Sequence, residues 1–182
     1  MSTLDMLMAR NSNFAKNFAH GEMPALPKLG TLILTCIDAR VDPAHVLGLE
    51  LGDAVVFRNN GGRVTQAFIE ELSALAVLVA RMTEADEASF NVILMEHTKC
   101  GAQAFADPSF RDQLREQINV DVSASAITNQ RDDLVTDLGR LRDARHLPGS
   151  ISVAAMLYDV ESGSVQEVAP ARSLDELREA GS

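Results

Sequence analysis

Tryptophan is missing from this chain, tyrosine occurs once, and phenylalanine occurs seven times. So few aromatics leave little from which to build the stacking platforms that hold single-stranded nucleic acid. Positive charge is also scarce. Sixteen Lys and Arg against 26 Asp and Glu give a formal net charge of −10, a balance that repels phosphate backbones and anionic membranes. Neither nucleic acid nor membrane is an expected partner. No apolar run approaches the ~20 residues that span a bilayer. At the N-terminus Asp5 interrupts the short apolar stretch before any cleavage-like site, so no signal peptide is expected and the location is expected to be cytoplasmic. Only Cys36 and Cys100 carry thiols. Two distant cysteines make no disulfide framework; in a reducing compartment they read as buried thiols, catalytic groups or metal ligands.

What is present suits a folded enzyme-sized unit. A chain of 182 residues with 46% hydrophobic and 23% charged side chains can bury an apolar core without covalent staples. Residues 1–182 are expected to form one domain, with 1–22 as a weakly helical N-terminal arm whose packing positions are Leu4, Leu7, Phe14 and Phe18. Pro24 to Pro27 reads as an extended connection. Apolar runs at Thr31–Thr35, Ala54–Phe57 and Asn91–Met95 predict buried strands. Asp42-Pro43 predicts a short helix with its cap, and Thr65 caps a long one along which Phe68, Leu72, Leu75, Ala76 and Val79 recur at helical spacing. Gly101 opens a further helical region. Ser109 is the expected cap of a short helix, 120–130 reads as a loop, and Asp132–Arg145 as a helix with Leu134, Leu138 and Leu141 on one face. Ser152–Tyr158 is an expected strand, with a hairpin return over Val165–Val168.

Strands alternating with helices predict an α/β fold: a mainly parallel central sheet flanked by helices, with a C-terminal strand and hairpin. In such sheets ligands gather beyond the carboxyl ends of the strands, where the strand order reverses. Cys36 ends the first strand; His97 and Cys100 follow the third. If those strands are neighbours at the reversal, all three side chains meet. Two thiolates and an imidazole suit zinc, and three protein ligands leave a fourth tetrahedral position for water, the mark of a catalytic site. Bound zinc lowers the pKa of water from about 15.7 to about 7. Asp38 and Arg40 lie in the turn leaving the first strand. That carboxylate can take a proton from water on the metal or occupy the open position as a fourth ligand, and Arg40 can draw it away. Each piece also has an ordinary reading: a small buried thiol, a chance His-x-x-Cys, a surface ion pair. Their conjunction carries the argument.

These residues form a recognisable pattern. Cys36-Ile-Asp38-Ala-Arg40 resembles the Cys-x-Asp-x-Arg signature of β-class carbonic anhydrases, and His97-Thr-Lys-Cys100-Gly101 resembles their His-x-x-Cys-Gly. Between them, Arg58-Asn59-Asn60-Gly61 is similar to the family's Arg-Asn-Ala-Gly. The resemblance implies zinc held by Cys36, His97 and Cys100, with Asp38 and Arg40 as a catalytic pair. It implies hydration of carbon dioxide to bicarbonate by zinc-bound hydroxide in a homodimer or higher homo-oligomer. It also implies an N-terminal arm packed across the partner. The wording of the motifs is closer to a compact branch that includes carbonyl sulfide and carbon disulfide hydrolases, which is the alternative substrate reading. A non-catalytic protein with a four-ligand structural zinc, Asp38 included, is the non-enzyme alternative.

The chain departs from the family pattern at Glu96, where many members have Gly, and at Asn60, where Ala is usual. Glu96 either bears on the surroundings of the metal or faces away from it. Pro27-Lys-Leu-Gly30 offers no counterpart of a substrate-contacting Gln, and without Trp a Trp-containing bicarbonate site is excluded. His20, His45 and His146 are candidates for proton transfer or for plain surface roles. A thiol phosphatase would need five residues between Cys and Arg, where this chain has three; Gly61-Gly62 fits neither nucleotide-binding loop pattern.

Overall fold

The computed structural model describes residues 1–19 and 21–181, so His20 lies outside the described residues. Its centre is a five-stranded sheet in the order β2-β1-β3-β4-β5. The strands are β1 (Thr31–Cys36), β2 (Val55–Asn59), β3 (Asn91–His97), β4 (Ser152–Tyr158) and β5 (Val165–Ser173). The first four run parallel and β5 returns antiparallel to β4. All six residues of β1 are buried. This is why its sequence reads as an unbroken apolar run: a parallel strand covered on both faces has no solvent side to make polar.

The reversal of strand order fixes where the helices go. The chain moves from β1 outward to β2, then back across β1 to β3 and on to β4. Right-handed crossovers therefore place the first connection on one face and the later ones on the other. The short α2 (Pro43–Val46), capped by the Asp42 side chain, packs with Leu47 against Ile33, Val41 and Met95 on one face. On the opposite face α3 (Gln66–Thr83) and α5 (Gln130–Asp143) cover Leu32, Leu34, Val92, Leu94 and Val153 with Phe68, Leu72, Leu134 and Leu141. Thr65 caps α3 by accepting from the Phe68 amide, as its sequence predicts. α5 has Asp132 and Asp133 in its first turn and Arg140 and Arg142 in its last, complementing the helix dipole.

Three local expectations are corrected. Asp107, not Ser109, caps α4 (Pro108–Ile118), accepting from the Ser109 amide and hydroxyl, each at 2.9 Å. Pro108 at the first helical position pre-sets the backbone, and a carboxylate meets the positive end of the helix better than a hydroxyl. α5 begins and ends two residues early because Asn129, whose side chain accepts from Arg131 and Asp132, starts it at Gln130. The hairpin return runs on to Ser173 and into α6 (Leu174–Ala180), an unexpected helix opened by a Ser173–Glu176 capping box that buries Leu174 completely.

The N-terminal arm is a helix, α1 (Thr3–Lys16), capped reciprocally by Ser2 and Asp5. It buries no residue against the rest of the protomer. Leu4, Leu7, Phe14 and Phe18, expected as packing positions, are all exposed, and the last two rings meet each other at 5.5 Å. No helix among the described residues is long and apolar enough to cross a membrane.

A candidate metal centre at the strand reversal

β1 and β3 are hydrogen-bonded neighbours flanking the reversal of strand order, so their carboxyl ends deliver Cys36 and His97 side by side. The chain then turns through Thr98 and Lys99, the latter in a left-handed conformation at φ 53°, and swings Cys100 back beside Cys36. The ligand atoms of Cys36, His97 and Cys100 all lie within 4.8 Å of one another, and all three residues are buried. The Cys36 and Cys100 sulfurs are 3.7 Å apart. Zinc–sulfur bonds of about 2.3 Å at a tetrahedral angle put two sulfurs about 3.8 Å apart, so the pair is already spaced for the ion.

The imidazole is set in the same way. His97 Nδ1 lies 2.9 Å from the Thr98 carbonyl oxygen. A carbonyl only accepts, so Nδ1 carries the proton and Nε2 presents its lone pair. Nε2 is buried without a hydrogen-bond partner, an arrangement that costs free energy unless something else binds there. The thiols show the same demand. Hydrogen bonding from Cys100 holds Cys36 down at about 4 against the opposing effect of burial, while Cys36 and burial push Cys100 well above the thiol range. A divalent cation held between the two sulfurs would bind both as thiolates.

Asp38 and Arg40 form a closed unit beside these ligands. Arg40 donates to Asp38 from its backbone amide at 2.9 Å, from Nε at 3.0 Å and from Nη2 at 2.6 Å. Nη2 also donates to the Lys99 carbonyl at 3.1 Å, tying the pair to the Cys100 turn. These Arg40 hydrogen bonds hold the Asp38 carboxyl far below its usual range, outweighing partial burial. Asp38 Oδ2 remains 3.9 Å from His97 Nε2. The carboxylate therefore sits beside the unpartnered His97 nitrogen while its oxygens are engaged by the guanidinium. Arg58 holds the whole turn in shape, with Nε donating to the Cys36 carbonyl at 2.9 Å and Nη2 to the carbonyls of Asp38 and Val41 at 2.7 and 2.9 Å.

Behind the ligands lies a buried ionic cluster that the sequence did not disclose. Arg63 forms a fork with Asp137 through Nε at 2.8 Å and Nη2 at 3.0 Å, and approaches Asp133 at 3.3 Å. Its Nη1 donates to the Ala126 carbonyl. The available signal was two acids one helical turn apart, Asp133 and Asp137, on the stripe that carries Leu134 and Leu141. Glu96 completes this group. It is 1% exposed, and burial pushes its carboxyl up to about 9 despite Arg63 Nε at 3.6 Å. Asn60 is exposed. His45 and His146 are exposed; His45 faces Asp42 at 3.7 Å, and His146 lines a shallow groove with Gln66 and Ile69.

Carbonic anhydrases and carbon disulfide hydrolases are among the known proteins to which this chain is similar. β-Carbonic anhydrase 1 of Mycobacterium tuberculosis is 28% identical over 172 residues, covering 93% of this chain and all of that protein. A carbon disulfide hydrolase of Saccharolobus solfataricus is 27% identical over 175 residues, covering 80% of this chain and 79% of the relative. The crystal structure of a carbonic anhydrase from Streptococcus mutans superposes with a TM-score of 0.74 at 32% identity, over 92% of this chain and 98% of that one. Family members use zinc, and Cys36, His97 and Cys100 form a cluster that could hold it. Residues 31–144 match the carbonic anhydrase family model, and with the fold, the cluster and these relatives in agreement, the chain belongs to the β-carbonic anhydrase family, a lyase class of enzyme.

Proposed function

We propose that this protein catalyses the reversible hydration of carbon dioxide to bicarbonate, with Cys36, His97 and Cys100 as zinc ligands and Asp38 and Arg40 as the catalytic pair. The observation that carries this reading is the engagement of Asp38 by Arg40 through three hydrogen bonds. A carboxylate so held leaves the fourth metal position to solvent. Zinc, when bound, supplies a Lewis acid that brings the pKa of water to about 7. With that group held by Cys36, His97 and Cys100, the Asp38 carboxylate would be placed to accept a proton from water beside it and to orient that water toward the substrate. Arg40 keeps the carboxylate ionised and in place, while the Lys99 carbonyl and Arg58 fix the turn that carries both. The same engagement argues against a structural zinc, which would need Asp38 as a permanent fourth ligand.

Hydrolysis of carbon disulfide or carbonyl sulfide is the second reading, favoured by the 27% identity to a carbon disulfide hydrolase. Carbon dioxide is preferred because this chain spans the whole of the mycobacterial carbonic anhydrase but only 79% of that hydrolase. The chain is read as one domain whose residues 1–22 are an arm for a second copy. The exposed apolar side of α1 supports a homo-oligomer, since a lone helix of 14 residues gains little stability by itself. A cytoplasmic location fits the two adjacent free thiols. Stopped-flow measurement of carbon dioxide hydration at pH 8.5, on protein of verified zinc content, tests the reading. Rapid zinc-dependent turnover is expected. Turnover of carbonyl sulfide or carbon disulfide alone would move the assignment to the second reading, and no turnover of any of the three would move it to a structural site.

A further inference from the structure

The imidazole of His97 is aimed by a main-chain group, and that group is itself held in place. His97 Nδ1 lies 2.9 Å from the Thr98 carbonyl oxygen, so the ring direction follows the conformation of Thr98. The Thr98 amide donates to the Tyr158 carbonyl at 2.9 Å, extending the β3–β4 ladder one residue beyond His97. The half-buried Thr98 hydroxyl donates to Asp159 Oδ1 at 2.9 Å and accepts from the Val160 amide at 3.1 Å. Lys99 follows in its left-handed conformation, with its carbonyl taken by Arg40 Nη2 at 3.1 Å. The two residues between His97 and Cys100 are thus clamped from opposite sides, by Arg40 at Lys99 and by Asp159 at Thr98.

Asp159 begins the turn from β4 to β5, and that turn closes through contacts of its own. The Asp159 carboxylate accepts from the Glu161 amide at 3.1 Å and from the Ser162 hydroxyl at 2.7 Å, and the Asp159 amide donates to the Ser164 carbonyl at 2.9 Å. The bond from Thr98 is additional to these, and it spans 61 positions of chain to reach the residue after a candidate metal ligand. From this arrangement we propose that Asp159 is a positioning residue of the metal centre: through the Thr98 hydroxyl it fixes the carbonyl that orients the His97 imidazole. The proposal rests on the reading of His97 as a zinc ligand. A ligating histidine has its tautomer and ring direction set by the acceptor on its other nitrogen, and losing such outer partners typically lowers metal affinity 10- to 100-fold. In this chain the acceptor is a backbone carbonyl, which no side-chain change removes, so the variable element is what holds it. A hydrogen bond to a carboxylate is among the stronger ways to do so.

Zinc affinity by chelator competition, the d–d bands of the cobalt(II)-substituted protein and thermal melting together test this. Asp159→Ala and Thr98→Val should each bind zinc roughly 10-fold more weakly than the parent and shift the cobalt bands, which report ligand geometry. The double variant should be no weaker than either single one, because both remove the same contact. Asp159→Asn keeps an acceptor for the Thr98 hydroxyl and should restore affinity and bands toward the parent. Ser162→Ala removes only a contact within the turn, so it should lower the melting temperature and leave zinc binding unchanged. Thr98→Val keeps the turn's own hydrogen bonds and carries the test should Asp159→Ala fail to fold. If Thr98→Val matches the parent in affinity and spectrum, or if Ser162→Ala weakens zinc binding as much as Thr98→Val does, the positioning role is wrong. A His97→Ala variant that binds zinc as tightly as the parent would instead overturn the ligand assignment beneath it.

Discussion

Among single residues, Asp38 has the sharpest consequence. Its carboxyl is held and depressed by Arg40, so under the proposed function Asp38→Asn should keep zinc while losing turnover by about 10²- to 10⁴-fold, the usual range for a proton-handling group. Metal analysis alongside stopped-flow rates checks this; a variant purified without zinc would show that Asp38 is a ligand instead. The same depression assigns the pH profile. Asp38 stays ionised throughout the neutral range, so under the proposed function any rise in carbon dioxide hydration between pH 6 and 9 would belong to a group other than Asp38. The rate should climb with pH, and a flat chemical step would contradict the reading. Glu96 titrates the other way. Its folded value is raised to about 9 by burial, so the stability tied to its proton is complete below about 4.3, the unfolded value. That stability is lost as pH rises through the folded value. Urea unfolding of metal-stripped parent and Glu96→Gln should therefore coincide near pH 4 and separate progressively toward pH 9, with the variant the more stable.

At the level of elements, the metal centre depends on a turn as much as on its ligands. Gly62 follows β2 with φ +67°, and a Cβ there would lie 2.8 Å from the Cys36 amide nitrogen and the Thr35 carbonyl carbon. Gly62→Ala should push the end of β1 outward, lowering both the melting temperature and zinc affinity, whereas Gly163→Ala, at φ +72° with open space around it, should lower only the first. Chelator competition on the two variants separates the effects. The α3 side of the core is an ordinary packed one, with Phe68 edge-on to Phe57 at 5.1 Å between ring centroids. Phe68→Ala should cost about 3–5 kcal/mol of unfolding free energy by leaving a cavity, measurable as a lowered denaturant midpoint. Most elements were legible because apolar period and capping residues agreed locally. α6 was missed because a seven-residue helix shows too few apolar repeats, even though its Ser173–Glu176 box was in view.

At the scale of the whole molecule, α1 stands apart from the core it is joined to. It contributes no buried residue to the protomer, so deleting residues 1–16 should leave the fold of one subunit intact by circular dichroism while weakening self-association in sedimentation velocity. A truncated protein that keeps the parent's association state would place the subunit contact elsewhere. The net charge of −10 adds a long-range repulsion between copies, so association should strengthen with salt if apolar contacts from α1 drive it.

The sequence by itself determined which side chains are candidates for the site, since residue type and order along the chain are local facts. Cys36, Asp38, Arg40, His97 and Cys100 could be named because each follows a strand whose apolar run is readable, and because parallel sheets collect side chains at a strand reversal. Only the tertiary structure decided how those side chains are held. The 3.7 Å sulfur spacing, the withdrawal of Asp38 onto Arg40, and the burial of Arg63, Asp133, Asp137 and Glu96 behind the site all depend on groups brought together from distant parts of the chain. Glu96 shows the reason most clearly. A charged residue in a sequence reads as a surface residue, and only the packing of β3 against β1 and α5 makes it an interior one, where desolvation outweighs every local preference.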